Sequence, residues 1–165
     1  MLIELEYILN NNGSEFVFDH EFDLSGYQTG SFKPFAGLAT VTGRVFNSTG
    51  IVRIKAKAAA QLQTTCDRCA CDVSRILEVP VEHILVTSLN DEDNDDFILL
   101  DKPQLDLDLL AGEDIFLALP SKILCSGKCK GLCQRCGKNL NNGQCGCKKT
   151  TDPRLAVLER LLDNE

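Results

Sequence analysis

The stretch CSGKCKGLCQRCGKNLNNGQCGC at 125–147 holds six of the chain's nine cysteines and no acidic residue. Nothing else in the sequence restricts the fold as tightly, because thiols packed this closely form a disulfide framework, a redox centre or a metal site. Disulfides fit poorly. The N-terminal run MLIELEYILNNNGSEF has no basic segment ahead of its apolar residues and carries Glu4 and Glu6, so it does not read as a secretory signal. A chain kept in a reducing, cytoplasmic compartment leaves its thiols unpaired. Nine is also an odd number, and complete pairing would strand one cysteine.

Metal binding explains the spacing better. Cys133-Gln-Arg-Cys136-Gly is a knuckle: two residues between the thiolates let the chain turn so that both sulfurs reach one ion. The glycine after it lets backbone amides point back at the sulfurs and spread their charge. Cys145-Gly-Cys147 supplies a second pair, and C-x2-C-x8-C-x-C can close a tetrahedral site of four thiolates, the soft donor set that zinc prefers. A second unit, Cys66-Asp-Arg-Cys69, follows a strand and needs two more ligands, for which Cys125 and Cys129 remain. The arithmetic then leaves Cys71 over. Alternatives stay open: Cys71 in place of Cys69, or Cys125 or Cys129 exchanged into the 133–147 set. The expected cofactor is zinc, one or two ions in a structural role.

Charge is segregated. The chain carries a formal −7, yet from Lys122 to Lys149 there are seven bases and no acid, whereas ten acids face one lysine between Ser88 and Asp114. Lys128, Lys130, Arg135, Lys138 and Lys148 are candidates for contact with RNA phosphate. Each four-thiolate zinc centre carries about −2, which these bases must offset first. The segment also has no aromatic residue to stack a base. The acidic run NDEDNDD at 90–96 reads as a solvated loop. His20 and His83 fall in strands and read as core or surface histidines. There is no nucleotide-binding glycine motif and no nucleophile elbow, so no enzyme and no small-molecule substrate are expected. No apolar run is long enough to span a membrane.

The remaining sequence reads as an α+β chain. Strands are expected at 2–9, 15–24, 38–47, 51–66 and 72–88. In the fourth, Val52, Ile54, Ala56, Ala58, Ala60 and Leu62 share one parity against Arg53, Lys55, Lys57, Gln61 and Gln63, the pattern of a half-buried strand. Asn47-Ser48-Thr49-Gly50 supplies turn chemistry, and Pro80 marks an edge or a bulge. FILL at 97–100 returns as a short strand. LDLDLLAGEDIFLALP reads as a helix capped by Asp106 and ended before Pro120, with Leu109, Leu110, Ile115, Phe116 and Leu117 facing the core. A terminal helix capped at Thr151 or Asp152 carries Leu155, Leu158, Leu161 and Leu162 on one stripe. The expected organisation is an antiparallel β-rich domain over 1–120, a zinc-knuckle segment over 121–150 and a C-terminal helix over 151–165, in one compact unit.

TTCDRC, DIFLALP, CKGLCQRCGKNLN with its CGC, and the terminal DPRLAVLERLL together resemble the YceD family, described as large-subunit ribosomal RNA accumulation proteins of bacteria and plastids. The likeness spans about residues 38 to 162. It implies a cytoplasmic, non-enzymatic factor in processing or assembly of the large ribosomal subunit, with ribosomal RNA or its precursor as partner and a basic ribosomal protein as the candidate partner of the acidic run at 90–96. Two rival readings stand beside it: a zinc-handling or thiol-redox protein, and a protein-interaction adaptor that does not touch RNA.

Overall fold

The computed structural model describes residues 1–28, 32–88 and 97–147. The acidic run 90–96, Lys148 and the expected C-terminal helix lie outside the described residues.

Three long strands dominate: β3 (Phe35–Ser48), β4 (Ile51–Thr65) and β5 (Asp72–Val86). They form an antiparallel meander, extended by β2 (Glu15–Asp23) beside β3 and by β6 (Phe97–Leu99), which runs parallel to the end of β5. A separate two-stranded pairing joins β1 (Leu2–Glu4) to β7 (Gln104–Asp106). The parity read in the fourth expected strand holds in β4: Val52, Ile54, Ala58, Ala60 and Leu62 are buried, and Lys55, Lys57 and Gln63 are exposed. Thr49 and Gly50, both at positive φ (55° and 83°), make the two-residue turn between β3 and β4 that matches the strands' own twist. Asn47 buttresses that turn. Its buried amide donates to Ile8 O at 2.8 Å and accepts from Gly50 N–H at 3.0 Å.

The segment 2–9 is not one strand. It pairs only as far as Glu4 and then coils into a short helix, α1 (Glu6–Asn10). Leu5 and Ile8 are buried and Leu9 half-buried, a three- and four-residue spacing that turns the apolar groups inward only if the chain is helical there. Pro80 lies opposite Lys57 in an unbroken register, and β6 reaches β5 only from Ile84 onward. Among the described residues, Pro80 therefore sits where β5 is an edge, so its missing N–H breaks no ladder.

Helix α2 (Leu107–Leu117) begins where expected: the Asp106 carboxylate accepts from the amides of Asp108 (3.2 Å) and Leu109 (3.4 Å). Its buried face differs from the expected one. Leu107, Leu110, Ala111, Gly112 and Ile115 are buried, whereas Leu109 is 53% exposed and Leu117 81%. Histidines from two strands set this rotation. His20 of β2 reaches Asp108 at 2.8 Å, and His83 of β5 reaches Asp114 at 2.8 Å, so the two carboxylates must face the sheet. Gly112 completes the fit, since a Cβ there would collide with the ring of Tyr27.

Candidate metal centres

The connection between β4 and β5 runs from Cys66 to Cys71 and carries three of the nine cysteines. Cys66 N–H donates to Cys71 O at 2.8 Å and Ala70 N–H to Cys66 O at 2.9 Å, which closes a tight loop. Ala70 itself takes φ 54°, a left-handed conformation that costs an L residue about 1–2 kcal/mol. The segment after α2 then returns to this tip. Asp67 N–H donates to Ile123 O (2.8 Å), and Ile123 N–H donates to the Asp67 carboxylate (2.6 Å). The Arg68 guanidinium donates to Cys129 O and Leu132 N–H to Arg68 O, each at 3.0 Å. The two charged residues inside CDRC are therefore staples, a role their spacing alone did not announce. Gly131 sits at φ 74° against this staple, and a Cβ there would lie 3.0 Å from Arg68 O.

These contacts gather five sulfurs. Those of Cys66, Cys69, Cys71 and Cys125 all lie within 4.8 Å of one another. Cys129, which is buried, places its sulfur 3.8 Å from that of Cys66, while Cys69 and Cys125 are 3.6 Å apart. Cys71, left over in the sequence arithmetic, is inside the cluster, 3.2 Å from Cys69. Four thiolates around one zinc at about 2.3 Å, at tetrahedral angles, stand about 3.8 Å apart. The 66–129 and 69–125 separations fit that edge. The 69–71 separation is too short, since it would need an S–Zn–S angle of about 90°.

Protons are shared unevenly in the cluster. Burial raises the Cys66 thiol, but the amides of Cys125, Arg68 and Cys69 outweigh it and bring the pKa down to about 6. Cys129 is lowered, first by the Asn141 side-chain amide, which donates to its sulfur at 3.3 Å, and then by Gly131 N–H acting against burial. Cys125 is pushed up to about 11, chiefly by the Cys129 sulfur. Cys69 is also raised: the Cys71 amide pulls it down, while the Cys71 sulfur and burial push it higher. Sulfurs that hold one another's protons in this way release them when a dication takes their place.

The second set is local. Cys133, Cys136, Cys145 and Cys147 bring all four sulfurs within 4.8 Å of one another. The knuckle closes as its spacing suggests: Gly137, at φ 69°, donates its N–H to Cys133 O at 2.9 Å, and Cys133 N–H donates to Lys138 O at 2.9 Å. Backbone amides of Cys136 and Arg135 lower the Cys133 thiol to about 6. Cys147 is pushed up to about 12 by the sulfur of Cys136 and by burial. The loop between the pairs holds a short 3-10 turn, Leu140–Asn142, capped by the Asn139 side chain on Asn141 N–H (2.9 Å). Asn141 then links the two sets. Its amide reaches the Cys129 sulfur, and its carbonyl oxygen accepts from Lys130 N–H at 2.8 Å. Each cluster thus has the sulfur donors to hold a metal ion, the first with one sulfur more than a tetrahedral ion takes, and an all-thiolate set is a closed, structural type of site.

Cations distribute unequally around this end. Three on the open face of the sheet are matched across strands: Arg44 to Glu15 (3.0 Å), Lys55 to Glu82 (3.6 Å) and Lys57 to Glu78 (3.9 Å). Lys128 and Lys130 are exposed and form no ion pair among the described residues, while Lys138 donates to Gln144 O at 3.1 Å. Arg135 is exposed beside the knuckle. His20 and His83 are latches for α2 rather than parts of either sulfur set. No helix among the described residues is long and apolar enough to cross a membrane.

A family model described as "Large ribosomal RNA subunit accumulation protein YceD" matches residues 54–162. No curated protein and no solved structure matches the chain.

Proposed function

Since the chain belongs to the YceD family of large ribosomal RNA subunit accumulation proteins, we propose that it is a non-enzymatic ribosome-biogenesis factor whose cysteine sets hold two structural zinc ions. The matched residues run from β4 beyond Cys147 and so include all nine cysteines, and this observation carries the reading. Zinc suits all-sulfur tetrads, and closed four-thiolate sites favour folding over catalysis. The first ion ties the tip of the β4–β5 hairpin to the segment after α2, and the second sets the knuckle loop beside it.

The partner in this reading is the large-subunit RNA or its precursor, touched through Lys128 and Lys130 with Arg135 alongside. Bulk charge does not drive the contact. Residues 66–71 and 121–147 hold six bases and one acid, and two zinc–thiolate centres at about −2 each bring the balance to about +1. A few aimed ammonium groups are what remains for phosphate. Two such contacts give a shallow salt dependence, a slope of about −1.5 in log affinity against log salt.

Crosslinking in cells with Lys128→Glu/Lys130→Glu tests it, with zinc content as the check on folding. Expected is retention of two zinc ions together with at least a several-fold loss of crosslinked ribosomal RNA. Equal recovery of RNA with wild type and variant overturns direct contact.

A further inference from the structure

We propose that Cys71 is not a metal ligand but a thiol–disulfide exchange site on the first centre, taking small disulfides and passing the oxidation to Cys69. The inference rests on the zinc reading above. It starts from a surplus: five sulfurs meet where a tetrahedral ion takes four. Cys66, Cys69 and Cys125 are common to either choice, so the fourth ligand is Cys129 or Cys71. Cys129 is buried, its sulfur stands 3.8 Å from Cys66, and the Asn141 amide donates to it. Amide donors on a sulfur are the usual support of a metal-bound thiolate. Cys71 is half-exposed, and its 3.2 Å approach to Cys69 is too close for two corners of one zinc tetrahedron.

The same features suit exchange. Cys71 is only partly buried, and the sulfur of the buried Cys69 lies 3.2 Å from its own. Ala70, held at φ 54° between them, folds the two neighbours' side chains together. Strain of this kind in a non-glycine residue tends to persist where function needs it. The chemistry balances with a disulfide RSSR as oxidant. Cys71 thiolate attacks one sulfur, forming Cys71–S–SR and releasing RS⁻. The Cys69 thiolate, leaving zinc, then attacks the Cys71 sulfur and releases the second RS⁻. Two protein thiolates are oxidised to one Cys69–Cys71 disulfide, RSSR is reduced to two thiolates, and the first centre loses a ligand.

The test uses the intact zinc-loaded chain, Cys71→Ser and Cys129→Ser. Zinc per chain is measured first, followed by exposure to glutathione disulfide with zinc release and peptide-mapped disulfides as readouts. Expected is two zinc ions in wild type and in Cys71→Ser, and one in Cys129→Ser. On oxidation, wild type forms the Cys69–Cys71 link and frees Cys66 and Cys125 for alkylation, while Cys71→Ser keeps them protected at least about tenfold longer. The proposal is overturned if Cys71→Ser arrives one zinc short, or if its first centre opens at the wild-type rate. Wild type carrying no zinc at Cys66, Cys69 and Cys125 would instead refute the zinc reading itself.

Discussion

The two cysteine sets use the same donor in opposite ways. The knuckle set draws all its sulfurs from Cys133 to Cys147, one loop closing on itself. The hairpin set joins Cys66 and Cys69 to Cys125 and Cys129, across more than fifty residues of chain. Three of its sulfurs, those of Cys66, Cys69 and Cys129, are buried in the main apolar core, whereas the knuckle sulfurs are half-buried or exposed. One set is therefore part of how the domain closes, and the other decorates a segment that the first already holds. Cross-linking distant points of a chain removes more freedom from the unfolded state than cross-linking near ones, which sharpens the contrast.

Single substitutions should break the comparison most visibly. Cys66→Ser and Cys136→Ser should each lose one zinc, but only Cys66→Ser should lower the melting temperature substantially, by roughly 5–15 °C, because it releases residues 121–147 from the hairpin. Similar melting temperatures for the two variants would erase the distinction. Chelator titration should show a smaller difference. The exposed knuckle should surrender its ion first and the buried set last, read as two phases of zinc release with loss of the fold tracking only the second. The smallest effect belongs to Asn141→Ala. By removing the amide donor to Cys129 and the acceptor for Lys130 N–H, it should leave zinc content at two yet merge less of the binding free energy between the sets, about 1 kcal/mol. A calorimetric titration in which filling one set no longer tightens the other is the signature.

Much of this was legible before any coordinate. Alternation along β4, the turn at Thr49 and Gly50, the Asp106 cap and the membership of the knuckle set follow from local chemistry that a sequence displays openly. The misreadings come from facts that are not local. LIELEYIL alternates enough to pass for a strand, although Leu5, Ile8 and Leu9 already carry the helical spacing that prevails. The rotation of α2 is dictated by His20 and His83, residues far away in sequence, and no count of leucines on the helix could reveal that Leu109 and Leu117 point outward. Ligand arithmetic, which assigns sulfurs in fours, set Cys71 aside without showing that it joins the first cluster. Its closeness to Cys69 depends on the left-handed turn at Ala70, which no propensity for alanine would suggest.

The wide sequence gap bridged at the hairpin tip also orders events in time. The β4–β5 hairpin joins neighbours in sequence and can pair once Val86 has been synthesised, since such hairpins form in microseconds. Its partner sulfurs arrive only with Cys125 and Cys129. At ordinary rates of translation the intervening chain takes about 2–9 s to make. Throughout that interval Cys66 and Cys69 stand on a finished hairpin without their two partner sulfurs, with Cys71 beside them and no covering segment. The nascent protein is then at its most vulnerable to premature oxidation, and on the zinc reading proposed above capture of the first ion ends that exposure.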